Sequence, residues 1–151
     1  MRYVHTNIIS NDWKKLSEFY IKIFNCQVVP PIRNQSGEWL SKGTGVNNAK
    51  LEGVHLLLPG HGSNGPTLEI YTYAENIHQE PIFPNSIGIG HLAFEVDDVG
   101  QIVKELVESG GEIFGEITSR NIEGVGEITF VYARDPEGNL IELQNWKKHR
   151  P

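Results

Sequence analysis

The chain has 151 residues, 38% of them hydrophobic and 16 of them glycine, which suits one compact domain or two small repeated halves. A net charge of −6 argues against a nucleic-acid or anionic-membrane surface, and no apolar run approaches the ~20 residues needed to span a bilayer. One cysteine, Cys26, can build neither an internal disulfide framework nor a cysteine zinc site, so a reducing cytoplasm fits best. The N-terminus, Met1-Arg2-Tyr3-Val4-His5, alternates like a strand and does not read as the apolar core of a signal peptide.

Residues 3–9 alternate as a strand, and residues 13–24 follow with Leu16, Phe19, Tyr20 and Ile23 at helical spacing behind the capping residues Asn11 and Asp12. A short strand at 27–29 leads into residues 30–50, where Pro30-Pro31, Asn34-Gln35-Ser36-Gly37, Gly43, Gly45 and Asn47-Asn48 predict a loop with a short helix around 39–46. Such a loop serves equally as a binding lid or as a plain surface excursion. Strands are predicted at 53–58 and 67–73, joined by Gly60 to Gly65, which lacks the Gly-Lys-Ser/Thr ending of a phosphate loop.

The same order then returns. Residues 90–96 alternate, Asp97 and Asp98 cap a helix over 99–108 with Ile102, Val103 and Leu106 on its apolar side, and Gly110-Gly111 stop it. A short strand at 112–114 follows, then strands at 127–133 and 139–146 around Asp135-Pro136-Glu137-Gly138. Placing His91 on His5 also places Asp98 on Asp12, Val99 on Trp13, Ile102 on Leu16 and Leu106 on Tyr20. The pattern is an internal repeat of α+β class, two βαβββ modules spanning about residues 1–80 and 87–151 of a single domain.

Strand side chains alternate between faces, so four strands each present one polar face. His5, Asn7 and Ile9 lie together; so do Glu69, Tyr71 and Tyr73; His91, Ala93 and Glu95; and Glu142, Gln144 and Trp146. The opening strand of each half supplies a histidine and the closing strand a glutamate. Two imidazoles and two carboxylates suit a borderline divalent ion such as Zn, Ni, Co, Fe or Mn, with open positions for water or substrate. The alternative for each residue taken singly is a solvated surface group. His55 reads as a strand residue with a satisfied hydrogen bond, or as an acid–base group; His61, His78 and His149 lie in polar surroundings, and Cys26 reads as a small core residue. No serine sits at a strand-to-helix elbow, so a serine nucleophile is not indicated.

His5-Thr6, Leu68-Glu69-Ile70-Tyr71, Gly90-His91-Leu92-Ala93-Phe94 and the run from Asp135 to Leu143 together resemble the vicinal oxygen chelate superfamily, which groups glyoxalase, bleomycin-resistance and extradiol dioxygenase proteins. The resemblance implies paired βαβββ modules forming a curved mixed sheet around one divalent metal ion. Its glyoxalase-like branch implies His5, Glu69, His91 and Glu142 as ligands, and a lyase or isomerase that abstracts a proton and stabilises an enediolate, with Glu142 or Glu69 as the base. Asn7, Tyr71, Tyr73, Glu95, Tyr132, Gln144 and Trp146 are the candidate substrate-binding residues. Ile9 and Tyr73 stand where glyoxalase I enzymes carry an Arg and an Asn for glutathione, which argues against a glutathione adduct. Val131-Tyr132, Asp135-Pro136, Gly138 and Glu142 match the tail of the extradiol signature, yet Glu123-Gly124-Val125 occupies the place of its histidine. The alternatives are a metal-free drug-binding protein of the bleomycin-resistance kind and an Fe(II) dioxygenase. Members of this fold often pair as homodimers, which the resemblance also implies here.

Overall fold

The computed structural model describes residues 1–147 and divides the chain into two compact units, Met1–Gln79 and Glu80–Pro151. His149 lies outside the described residues. Each unit carries its own mixed sheet, giving an α+β fold.

In the first unit, β1 (His5–Ile9) leads into α1 (Trp13–Phe24), β2 (Gln27–Ser36), α2 (Glu38–Thr44), β3 (Lys50–Leu57) and β4 (Thr67–Tyr73). The strand order is β1-β4-β3-β2, with β1 and β4 parallel and the rest antiparallel. The Asp12 carboxylate accepts from the backbone N–H groups of Lys14 and Lys15 and so starts α1. Asn25, left-handed at φ 55°, ends it. Leu16, Phe19, Tyr20 and Ile23 on the helix, with Val54, Leu56, Leu68 and Ile70 from the sheet, are all buried. Cys26 is buried as well, and that burial pushes its thiol up to about 12.

The second unit repeats this plan with β5 (Leu92–Glu95), α3 (Val99–Glu108), β6 (Glu112–Ile113), β7 (Thr118–Ile122), β8 (Gly126–Arg134) and β9 (Leu140–Lys147). β5 and β9 are parallel, β8 pairs antiparallel with β9, and both β6 and β7 pair with β8. Asp98 caps α3 through the backbone N–H of Gln101 at 2.9 Å. Phe94, Val99, Leu106, Val131, Ile141 and Leu143 form the buried side.

Both helices that open the halves, and β4, fall where the sequence places them. Four segments differ. The predicted loop after residue 29 is strand as far as Ser36, because β2 is an edge strand paired only with β3, where a proline's missing N–H leaves no ladder bond unmade. The short helix begins at Glu38 and ends at Thr44, and β7 is an additional, wholly exposed strand. His91 stands immediately before β5 and not within it.

The β8–β9 turn is built by Asp135, which is buried. Its carboxylate accepts from the backbone N–H groups of Glu137 and Asn139 at 2.9 Å each and from the Asn139 side chain at 2.8 Å. Gly138, at φ 90°, supplies the positive angle the turn requires. This turn sets the register that puts Tyr132 directly opposite Glu142.

Candidate metal and substrate site

In the first unit, parallel pairing of the opening and closing strands brings His5 and Glu69 together. His5 Nδ1 lies 3.2 Å from Glu69 Oε1. Glu69 is one of the few buried charged residues, and Asn7, its register partner on β1, donates to its main-chain carbonyl at 3.4 Å. A carboxylate so placed needs partners, because an uncompensated buried charge is costly. His55, directly opposite Glu69 on β3, supplies another: its Nε2 is 3.2 Å from the same oxygen and 2.5 Å from the Tyr71 hydroxyl.

Burial lowers the His55 pKa below the ordinary histidine value, with the Glu69 charge opposing that shift. Burial, reinforced by Glu69, pushes the Tyr71 phenol up to about 12. Tyr73, like Tyr71, is partly buried and packs against Leu40 of α2, Ala49 and Leu51.

In the second unit His91 Nε2 lies 3.0 Å from Glu142 Oε2. The Tyr132 ring stands 4.9 Å from the His91 ring, and its phenol pKa is raised by burial and by the neighbouring Glu142 charge. Gln144 and Trp146 continue the same face of β9, with Trp146 Nε1 donating to Gln144 Oε1 at 3.0 Å. Glu95 is exposed at the end of β5, in register with Gln144.

The two His–Glu pairs have the spacing of neighbouring ligands. Two donors each ~2.1 Å from an ion and about 90° apart are separated by about 3.0 Å, against 3.2 and 3.0 Å here. The donor set, imidazole nitrogen with carboxylate oxygen, also fits a borderline divalent cation. Among the described residues no group of three or more His, Cys, Asp and Glu side chains forms a metal centre by itself. His61 and His78 are exposed.

Periodicity alone did not assign His55 to this cluster. The contact depends on the register of β3 against β4, and the Gly-rich connection between them leaves that register unmarked in the sequence. Near the extradiol histidine's expected place, Val125 donates to the Ile122 carbonyl in the tight turn between β7 and β8.

The model of the Glyoxalase/Bleomycin resistance protein/Dioxygenase superfamily matches residues 2–143. No curated protein sequence matches the chain. Among solved structures, a glyoxalase family protein from Bacillus cereus superposes with a TM-score of 0.76 at 23% identity, covering 97% of this chain and 93% of that one. A family enzyme from Burkholderia phytofirmans gives 0.57 at 15% identity over 95% and 97%. A fosfomycin resistance protein from Listeria monocytogenes, solved with Mn(II) and a dihydroxypropylphosphonic acid, gives 0.53 at 19% identity over 94% and 90%. At these identities the neighbours speak to the fold, while the family match spans nearly the whole sequence: the chain belongs to the glyoxalase/bleomycin resistance/dioxygenase superfamily.

Proposed function

We propose that the protein is a metal-dependent lyase or isomerase of the glyoxalase kind, acting on a small substrate with two neighbouring oxygens. The observation that carries this reading is the pair of His–Glu contacts, His5–Glu69 and His91–Glu142, at equivalent places in the two halves. His5, Glu69, His91 and Glu142 would hold one divalent ion. When bound, such an ion supplies a positive charge that offsets the negative charge building on a substrate oxygen as a proton leaves the adjacent carbon.

The two carboxylates divide the remaining work. Glu69 is met by two imidazoles and lies beside the Tyr71 hydroxyl, which supports a holding role for it. Glu142 is met by His91 and Tyr132, and we assign it the role of base that takes the proton. Asn7, Tyr71, Tyr132, Gln144 and Trp146 offer polar and aromatic contacts to substrate on the same strand faces, and Glu95 does so at the strand end. We also propose that the protein works in the cytoplasm as a homodimer.

The test is metal content after native purification, followed by single replacements. About one ion per chain is expected, lost in both His5→Ala and His91→Ala. Glu142→Gln is expected to reduce turnover of an identified substrate by about 10²–10⁴-fold. A metal-replete Glu142→Gln protein with full turnover would remove Glu142 from the role. A wild-type protein free of metal would favour the second reading, a metal-free small-molecule binder; the hydrogen-bond partners already present around Glu69 are what support that alternative.

A further inference from the structure

We propose that His55 is a positioning residue for Glu69: an Nε2–H donor, backed by the Tyr71 hydroxyl, that fixes where the Glu69 carboxylate points. The inference rests on the metal reading only for its consequence on ion binding, not for the hydrogen bond itself.

The contacts favour a hydrogen on Nε2. His55 Nε2 faces Glu69 Oε1 at 3.2 Å and the Tyr71 oxygen at 2.5 Å. An ionised carboxylate only accepts, so a nitrogen facing it must carry hydrogen; otherwise two lone pairs oppose each other. This holds whether the imidazole is neutral or protonated. Tyr71 then accepts from Nε2, which leaves its own O–H to turn toward Glu69, whose charge helps raise the phenol pKa. The three groups meet in a place poor in water, since the His55 and Glu69 side chains are only 20% and 11% exposed.

The sheet is built to allow it. His55 and Glu69 are direct cross-strand partners, and so are Gly53 and Tyr71. A Cβ at Gly53 would lie 2.3 Å from Tyr71 Cδ1 and 2.1 Å from the Ile70 carbonyl oxygen. The missing side chain is therefore the space in which the Tyr71 ring sits, 5.8 Å from the His55 ring, with Leu40, Ala49 and Leu51 packed against it. A histidine that was merely a satisfied strand residue would need none of this.

Two measurements on the full chain test the proposal. In long-range proton–nitrogen spectra of the metal-free protein at about pH 8, above the ordinary histidine pKa, His55 is expected as the Nε2–H tautomer, assigned by its absence from His55→Gln. The Nδ1–H tautomer would overturn the proposal. Cobalt(II) titration followed by the visible spectrum then reads the consequence. His55→Phe is expected to weaken Co(II) binding about 10–100-fold and to alter the spectrum, while His55→Gln, which keeps an N–H donor, recovers binding to within about threefold. Tyr71→Phe, which removes a single oxygen, is expected to fall between and serves if His55→Phe does not fold. Unchanged affinity and spectrum in both His55→Phe and Tyr71→Phe would also overturn the proposal. Should the wild-type protein bind no Co(II), the metal reading fails, and the tautomer alone decides whether His55 holds Glu69.

Discussion

The two halves place their carboxylates by the same backbone device and then hold them differently. In each, a histidine at the start of, or just before, the opening strand meets a glutamate on its parallel partner, and an antiparallel neighbour puts a ring-bearing residue directly opposite that glutamate. In the first half that residue is His55; in the second it is Tyr132. Two residues further on, the first half sets a bulky Tyr71 against Gly53, whereas the second sets a slimmer Gln144 against Phe130. Large against small has become small against large. The repeat therefore fixes where donors stand, while the residues across the ladder decide how firmly each one is held.

The largest effect expected from testing this equivalence comes from the core beneath the two glutamates. Leu68 and Ile141 precede them in the chain, and both are fully buried. Leu68→Ala and Ile141→Ala should each cost about 2–5 kcal/mol in urea denaturation, through lost burial and a residual cavity. A large loss in one and none in the other would mean that the halves are alike in backbone but not in packing.

A smaller and one-sided effect is expected at Gly53. An added methyl there meets main-chain atoms on β4 as well as the Tyr71 ring, so the strands must separate. Gly53→Ala should destabilise the protein by about 1–3 kcal/mol and disturb the Tyr71 ring. Thermal melts with tyrosine fluorescence would check both. Full stability in this variant would contradict the close approach of β3 to β4.

The smallest effect is expected at the helix starts, where the halves agree. Asp98→Ala should cost about 1 kcal/mol by leaving the Gln101 N–H without its cap, measured by chemical denaturation. Asp12→Ala should move stability in the same direction, since Asp12 caps two N–H groups of α1. A stabilising outcome at either site would break the parallel between the two caps.

Much of this architecture was legible because it rests on local rules. Helical spacing of Leu16, Phe19, Tyr20 and Ile23 behind Asp12, and of Ile102, Val103 and Leu106 behind Asp98, delimits α1 and α3. Alternation in residues 67–73 places Glu69 and Tyr71 on one face. Segments governed by their position in a sheet were harder to read. The end of β2 is rich in turn-forming residues that an edge strand tolerates, and β7 (Thr-Ser-Arg-Asn-Ile) is exposed throughout and so carries no inside–outside alternation. His55 failed to declare itself for a related reason. Its face of the sheet could be read from periodicity, but its partner depends on a register that neighbouring strands establish only once paired.

The parallel ladders have a consequence for how this protein comes into being. His5 waits for residues beyond position 67, and His91 for residues beyond position 140, before either gains its carboxylate companion. The helix and the other strands of the half lie between the two members of each pair in the chain, so each pair is a contact of long sequence separation. A chain halted before the closing strand of a half would own that half's helix and histidine, yet lack its carboxylate. The meeting of histidine and carboxylate is in this sense a certificate that a half has been finished.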